Sequence, residues 1–416
     1  MSTLTSARSY VSLIWLTAGI ACSSGPATSG RSAAEPASWE LQVEPLATPA
    51  NPDSSAPHLD ASSGGVVLSW VEQDANGRTS RLKFARRTAG GWTAPVTVAS
   101  GDDWFVSYAD PPGVTQLSDG TLVAHWLVVT DLIKEASDLH LAYSTDQGKT
   151  WTPSFLPHHD GTASQHAFAS FVELPGRTLG LAWLDGRGGD MSLRYTTFDA
   201  QWRQGMESVI DSRVCECCQT ALAATPQGPI VAYRDRGDSE IRDIHVSRLE
   251  GRAWSADRAV AADNWQVDYC PINGPALGTW GERAVVTWFT VKNDRGQAYA
   301  AFSSDAGRTW GQPIRLDDEG SIGRVDVEFL DDGSAVATWV ELAAPRAQLR
   351  VRRIRPSGER SPASAVAEVP SSASSGFSRM VRRGDELLFA WTESGAGESG
   401  GAPPIVRTGV ARLPRD

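Results

Sequence analysis

The chain has 416 residues, a formal charge of −11, sixteen tryptophans and five cysteines. That length suits two or three ordinary domains or one large all-β domain. The acidic balance argues against a nucleic-acid backbone or a basic membrane-surface patch as the main partner, because both need clustered Lys and Arg.

In chain order, the first element is a targeting segment. Arg8 is a positive flank, and Tyr10 to Ala21 form an apolar core too short to span a bilayer. Cys22 follows at once, so residues 1–21 resemble a bacterial lipoprotein signal peptide, which implies that Cys22 becomes the lipidated first residue. A plain secretory signal cut near Ala21 is the alternative. Residues 22–38 form a tether rich in Ser, Ala, Gly and Pro. Both readings export the protein to the cell envelope, where thiols oxidise, with membrane contact only through the lipid anchor.

Beyond residue 39 a short apolar strand recurs seven times, with its aromatic at Trp70, Trp126, Trp183, Tyr233, Trp288, Trp339 and Trp391. The spacings are 56, 57, 50, 55, 51 and 52 residues. A near-constant period of this size, filled with short strands and Gly/Asp turns, predicts a β-propeller. Each copy holds four strand signals, a to d, with a nearest the axis. The seventh lacks its own d strand, and "ELQVEPL" (Glu40 to Leu46) is free to supply it. We therefore expect one monomeric domain over 39–416, an all-β seven-bladed propeller whose two ends pair, with six blades as the alternative.

"STDQGKTW" (144–151) and "SSDAGRTW" (303–310) fit S-x-D-x-G-x-T-W. These turns resemble the Asp-box of the bacterial neuraminidase repeat, so the chain is similar to the sialidase superfamily. The motif is structural: Asp146 and Asp305 would accept backbone N–H groups, and Gly148 and Gly307 would take positive φ. The resemblance implies a propeller acting on glycans, with its site at the end formed by the d-to-a and b-to-c connections. Three arginines would clamp a substrate carboxylate there, a role that falls to Arg187, Arg234 and Arg324. A tyrosine nucleophile would be Tyr269, with Tyr108 and Tyr233 as alternatives, and Asp110 and Asp235 would be the acid/base carboxylates. His166, Asn273 and Asp185 would line the same mouth and bind a glycan or small anion. The chain has no tyrosine after Tyr299, whereas the family nucleophile comes late. A non-catalytic carbohydrate- or protein-binding propeller is therefore the second reading.

Two further patterns stand out. Two positions after the aromatics come Glu72, Val128, Asp185, Asp235, Thr290, Glu341 and Glu393. These acids either brace the rim or form an acid/base or cation site. One position before the aromatics, six residues are small or hydroxylic and only His125 is bulky, so its imidazole needs a partner. Finally, "RVCECCQT" places Cys215, Cys217 and Cys218 opposite Cys270 of the next copy. In an extended segment Cys215 and Cys217 would point one way and Cys218 the other. Cys218 or Cys215 bridged to Cys270 is the expected staple. The rival is a Cu(I) or Zn(II) site of thiolates with His166 or His125. No other cofactor is expected.

Overall fold

The computed structural model describes residues 39–343, 346–372, 376–394 and 402–414. The signal segment, Cys22 and the tether lie outside them. The described residues form seven antiparallel sheets and no α-helix. The third blade is typical, with a at His166–Leu174, b at Thr178–Gly188, c at Asp190–Phe198 and d at Ser208–Asp211. Blade 2 departs from the expected four strands. Its outer segment pairs only through a bridge from Phe155 to Leu141.

The ring is closed by both chain ends. Val43–Leu46 is the outermost strand of blade 7 and pairs antiparallel with Ile405–Arg412, in register from Val43 opposite Ala411 to Leu46 opposite Thr408. Trp39 and Leu41, just before it, are buried in the core of blades 6 and 7. The pairing satisfies an edge that would otherwise present a row of free backbone groups.

The recurrent aromatics are wedges. Trp70, Trp183, Trp288 and Trp339 are fully buried, and a buried indole N–H requires an acceptor. Strand residues i and i+2 share a face, so the acid two positions on is the one within reach. Glu72, Asp185 and Glu341 accept the indole N–H of Trp70, Trp183 and Trp339 at 2.9, 2.9 and 2.7 Å. Blade 5 has Thr290 at that place, and Asp263 of the d-to-a connection accepts from Trp288 instead, at 2.7 Å. In blade 4 the Tyr233 hydroxyl donates to Asp211 at 2.8 Å. In blade 2, with Val128, Trp126 stacks between Trp104 and His140. The rim acids Glu72, Asp185 and Glu341 thus brace their own blades.

The two S-x-D-x-G-x-T-W turns have matching geometry. Asp146 accepts the Thr150 N–H at 2.9 Å and its hydroxyl at 2.7 Å, and Asp305 does the same for Thr309 at 2.9 and 2.6 Å. Gly148 and Gly307 hold φ of 83° and 79°, where a side chain would be strained.

Candidate functional site

Strand register aligns the inner strands around the axis. The residues opposite Ser69, His125, Ala182, Ala232, Thr287, Thr338 and Ala390 are His58, Gly113, Ser170, Ala221, Ala276, Asp326 and Arg379. This tier is lopsided. Blades 6, 7 and 1 contribute Asp326, Arg379 and His58, while blades 3, 4 and 5 contribute only Ser170, Ala221 and Ala276. Between the two walls lies an axial cavity of 360 Å³.

Gly113 explains His125. A Cβ at Gly113 would lie 2.8 Å from the His125 ring and 3.0 Å from that of His58. The imidazole therefore fills the space of the missing side chain and reaches the cavity. Its Nε2 faces the Pro111 carbonyl at 3.2 Å. A carbonyl only accepts, so Nε2 carries the proton and Nδ1 is a bare acceptor. Burial pulls the His125 pKa down to about 4 and that of His58 well below the usual histidine value, so both rings are neutral at pH 7.

Three buried nitrogens in this tier lack a hydrogen-bond partner: His58 Nε2, His125 Nδ1 and Arg379 Nε. Buried polar atoms are satisfied in the great majority of cases, so these three nitrogens are available to bond a molecule that enters the cavity. Burial shifts the carboxyls beside them towards the protonated form. Burial raises Asp60 to about 6, Asp110 to about 7 and Asp326 above its usual value. Burial first, then the neighbouring Asp326 charge, raises Glu328 to about 8.

Glu328 gives a stability prediction. Its folded pKa lies above its unfolded one, so its contribution is fully present below the unfolded value near 4.5 and is lost as pH rises towards 8. Thermal melts of Glu328→Gln should match the parent at pH 4 and exceed it at pH 8 by about 1–2 kcal/mol, a figure reduced because the carboxyl lines a cavity. Equal melts at both pH values would reject the raised pKa.

The expected mouth is partly occupied by inter-blade latches. Asp110 accepts the Phe168 N–H at 2.7 Å, and Asn273 Oδ1 accepts the Arg324 N–H at 2.9 Å. Both accept at bulged inner strands where Phe168 and Arg324 hold φ of 55° and 58°. The Gln219 amide links separate blades at this end, donating to the Ala109 carbonyl of blade 2 and accepting the Gly274 N–H of blade 5. At the a-to-b turn end, Glu328 and Arg382 also line a second cleft with Thr279, Trp280 and Asp331.

The three arginines do not assemble into a clamp. Arg187 is bound by Asp185 at 2.6 Å, Asp160 at 2.7 Å and Glu207 at 3.0 Å. Arg234 is buried under Trp265 and donates to the carbonyls of Asn273, Arg242 and Phe289. Arg324 donates to the carbonyls of Gly376 and Ser372 beside Tyr108 and Phe377, and burial lowers its pKa to about 10. Their donors are used internally: Arg187 is neutralised by carboxylates, and the buried Arg234 and Arg324 take the nearest carbonyls.

Nor do the acid/base candidates meet. Asp110 is the latch just described. Asp235 faces His245 at 3.7 Å, beside Asp257. Tyr269 is 63% exposed. His166 sits in a separate buried cluster, stacked on His158 at 3.6 Å, with Asp160 at 2.9 Å and the Ser137 carbonyl at 3.1 Å. These contacts keep it away from the thiols, so the thiolate–His166 ligand set is not assembled.

The cysteine pairing differs from expectation. The disulfide is Cys217–Cys270, joining blades 4 and 5. Cys215 and Cys218 are free and buried, with their sulfurs 3.1 Å apart. The alternation rule failed because residues 216–217 form a turn, not a strand, which swings Cys218 back onto Cys215 and leaves Cys217 facing outward.

Sequence reasoning missed Arg379 and His58. The available signal was the inner-strand position opposite the residue before each aromatic, which singles out both once register is known.

No protein-family model matches the sequence, and no curated protein sequence matches it. Among solved structures, a protein of unknown function from Dyadobacter fermentans superposes with a TM-score of 0.53 at 14% identity, covering 91% of this chain and 99% of that one. The polysaccharide lyase Uly1 superposes with a TM-score of 0.53 at 11% identity, covering 86% and 90%. A Hadza microbial sialidase, Hz136, gives a TM-score of 0.43 at 15% identity, covering 69% and 63%. At these identities the likeness to the first two is one of fold.

Proposed function

We propose that this protein binds a saccharide bearing a carboxylate in its axial cavity, without sialidase-type hydrolysis. One observation carries the reading: His58 Nε2, His125 Nδ1 and Arg379 Nε are buried around one cavity without partners. The set mixes a cationic donor, a neutral acceptor and protonatable carboxyls. Sugar hydroxyls both donate and accept, and a guanidinium suits a carboxylate. The small side chains of Ser170, Ala221 and Ala276 leave room opposite. Hydrolysis is disfavoured because Asp110, Asp235 and Tyr269 share no contact and the arginines are engaged elsewhere.

In this reading the protein is an exported monomer, tethered to a membrane through lipidated Cys22, and acts on envelope or external glycans. Titration calorimetry with glucuronate, galacturonate and N-acetylneuraminate, each beside a neutral sugar, tests the site. Arg379→Gln should weaken the acidic sugars about ten-fold and the neutral ones less. Absence of binding to every sugar, or binding indifferent to Arg379→Gln, rejects it. Turnover of a chromogenic sialoside by the parent protein would restore the hydrolase.

A further inference from the structure

The cysteine cluster is unused by the cavity reading and stands independently of it. Three of its sulfurs form a chain of close approaches. Cys218 Sγ lies 3.1 Å from Cys215 Sγ, and Cys215 Sγ lies 3.8 Å from Cys217 Sγ, which is bonded to Cys270. Cys215 and Cys218 are buried at 1% and 2% exposure. Cys217 and Cys270 are half-buried, and Cys270 follows the exposed Tyr269. A buried dithiol thus abuts a disulfide that is nearer to solvent.

The surroundings favour negative charge on one sulfur. Arg242 is fully buried and its Nη1 lies 3.4 Å from Cys215 Sγ, while the same guanidinium is paired with Glu216 at 3.0 Å and Glu240 at 2.9 Å, so the uncompensated buried cation is Arg234. Arg234, also buried, has only carbonyl acceptors among its hydrogen bonds. A buried cation without a carboxylate needs a counter-charge. The hydrogen bond shared with Cys218 and the neighbouring Arg234 lower the Cys215 pKa to about 7, whereas burial raises Cys218 well above the usual thiol value. The nucleophile and the proton carrier are therefore different residues.

We propose that Cys215, Cys217, Cys218 and Cys270 form a thiol–disulfide exchange centre that moves one disulfide between the interior and the surface. In the first step the Cys215 thiolate attacks Cys217 Sγ. The Cys217–Cys270 bond breaks and Cys270 leaves as a thiolate. In the second step Cys218 Sγ attacks Cys215 Sγ, the Cys215–Cys217 bond breaks, and the Cys218 proton passes to the departing Cys217 sulfur. One disulfide exists before and after, so no external oxidant or reductant is consumed. The rearranged state buries a Cys215–Cys218 bridge and frees Cys217 and Cys270. It presents two thiols beside Tyr269 to a disulfide in solution, and it unlinks blades 4 and 5.

The test uses the full chain with Cys22→Ser, whose four remaining cysteines are set to one disulfide and two thiols by titration with dithiothreitol. Samples held at pH 6 to 9 are acid-quenched, alkylated, digested and mapped by mass spectrometry. Both Cys217–Cys270 and Cys215–Cys218 pairings are expected in every parent sample. Cys215→Ser should give Cys217–Cys270 alone. Cys218→Ala should accumulate the Cys215–Cys217 pairing. Arg242→Gln should slow interconversion about five-fold at pH 7 and much less at pH 9, because it lowers the thiolate fraction. Parent samples holding only Cys217–Cys270 at every pH overturn the proposal. So does Cys218→Ala without a Cys215–Cys217 species, or an interconversion rate that ignores Arg242→Gln. Near-ultraviolet circular dichroism of each variant establishes that the fold is retained.

Discussion

Deleting residues up to Leu46 should leave a chain that aggregates and melts far below the parent. The deletion removes the ladder between Val43–Leu46 and Ile405–Arg412 and the buried side chains of Trp39 and Leu41. Truncating Trp39 alone to alanine should lower stability by about 3–5 kcal/mol, as for other large core aromatics. The full deletion adds the loss of four paired residues and opens a long strand edge, which templates association. Size-exclusion chromatography and thermal melts read both effects. A synthetic peptide spanning residues 39–47 should restore monomers by adding back the missing strand. A truncated chain that stays monomeric with an unchanged melting temperature would mean that blade 7 does not need its borrowed strand.

The second large effect is expected at Arg234. Its guanidinium holds three carbonyls, those of Asn273, Arg242 and Phe289, from beneath the Trp265 ring. Arg234→Ala leaves these acceptors buried without a donor, at a cost of about 3–5 kcal/mol in a denaturant titration. Arg234→Lys should recover less than half of that, because one ammonium cannot span acceptors arranged for a planar fork. The result bears on function. An Arg234→Ala protein of parental stability that lost saccharide affinity would return this arginine to the role of a substrate clamp. Loss of stability with the cavity still competent in the folded fraction keeps it architectural.

Much of the architecture was legible in the sequence, for a physical reason. The aromatic wedge recurs because each blade must fill the same gap against its neighbour, and its period reports the blade count. The acid two positions on recurs because the indole N–H must be satisfied, so Glu72, Asp185 and Glu341 were visible as a pattern. Their purpose became clear only from contacts. The isolated strand near residue 43 was legible as a missing partner for the last repeat.

The site was less legible. Arginine position does not reveal where a guanidinium spends its donors, and Arg187, Arg234 and Arg324 each find internal acceptors. Cys217 was misassigned because an extended strand was assumed where the chain turns. The axial tier draws one residue from each inner strand, and no single segment carries its pattern. Arg379 lies in "FSRMVRR" among three arginines, and only its pairing with Ala390 distinguishes it. The link that Gln219 makes between blades depends on two partners far away in the chain, which no local motif encodes.

The hydrogen bond from Thr408 Oγ1 to the Leu46 carbonyl joins positions 362 residues apart. During synthesis Val43–Leu46 must therefore wait, unmatched, until Ile405–Arg412 has been made. Such non-local pairing slows folding, and in that interval the waiting segment is open to capture by a neighbouring nascent chain. Cellular yield should accordingly depend on the dilution of newly made molecules and on holding factors more than on the strength of any one interior contact.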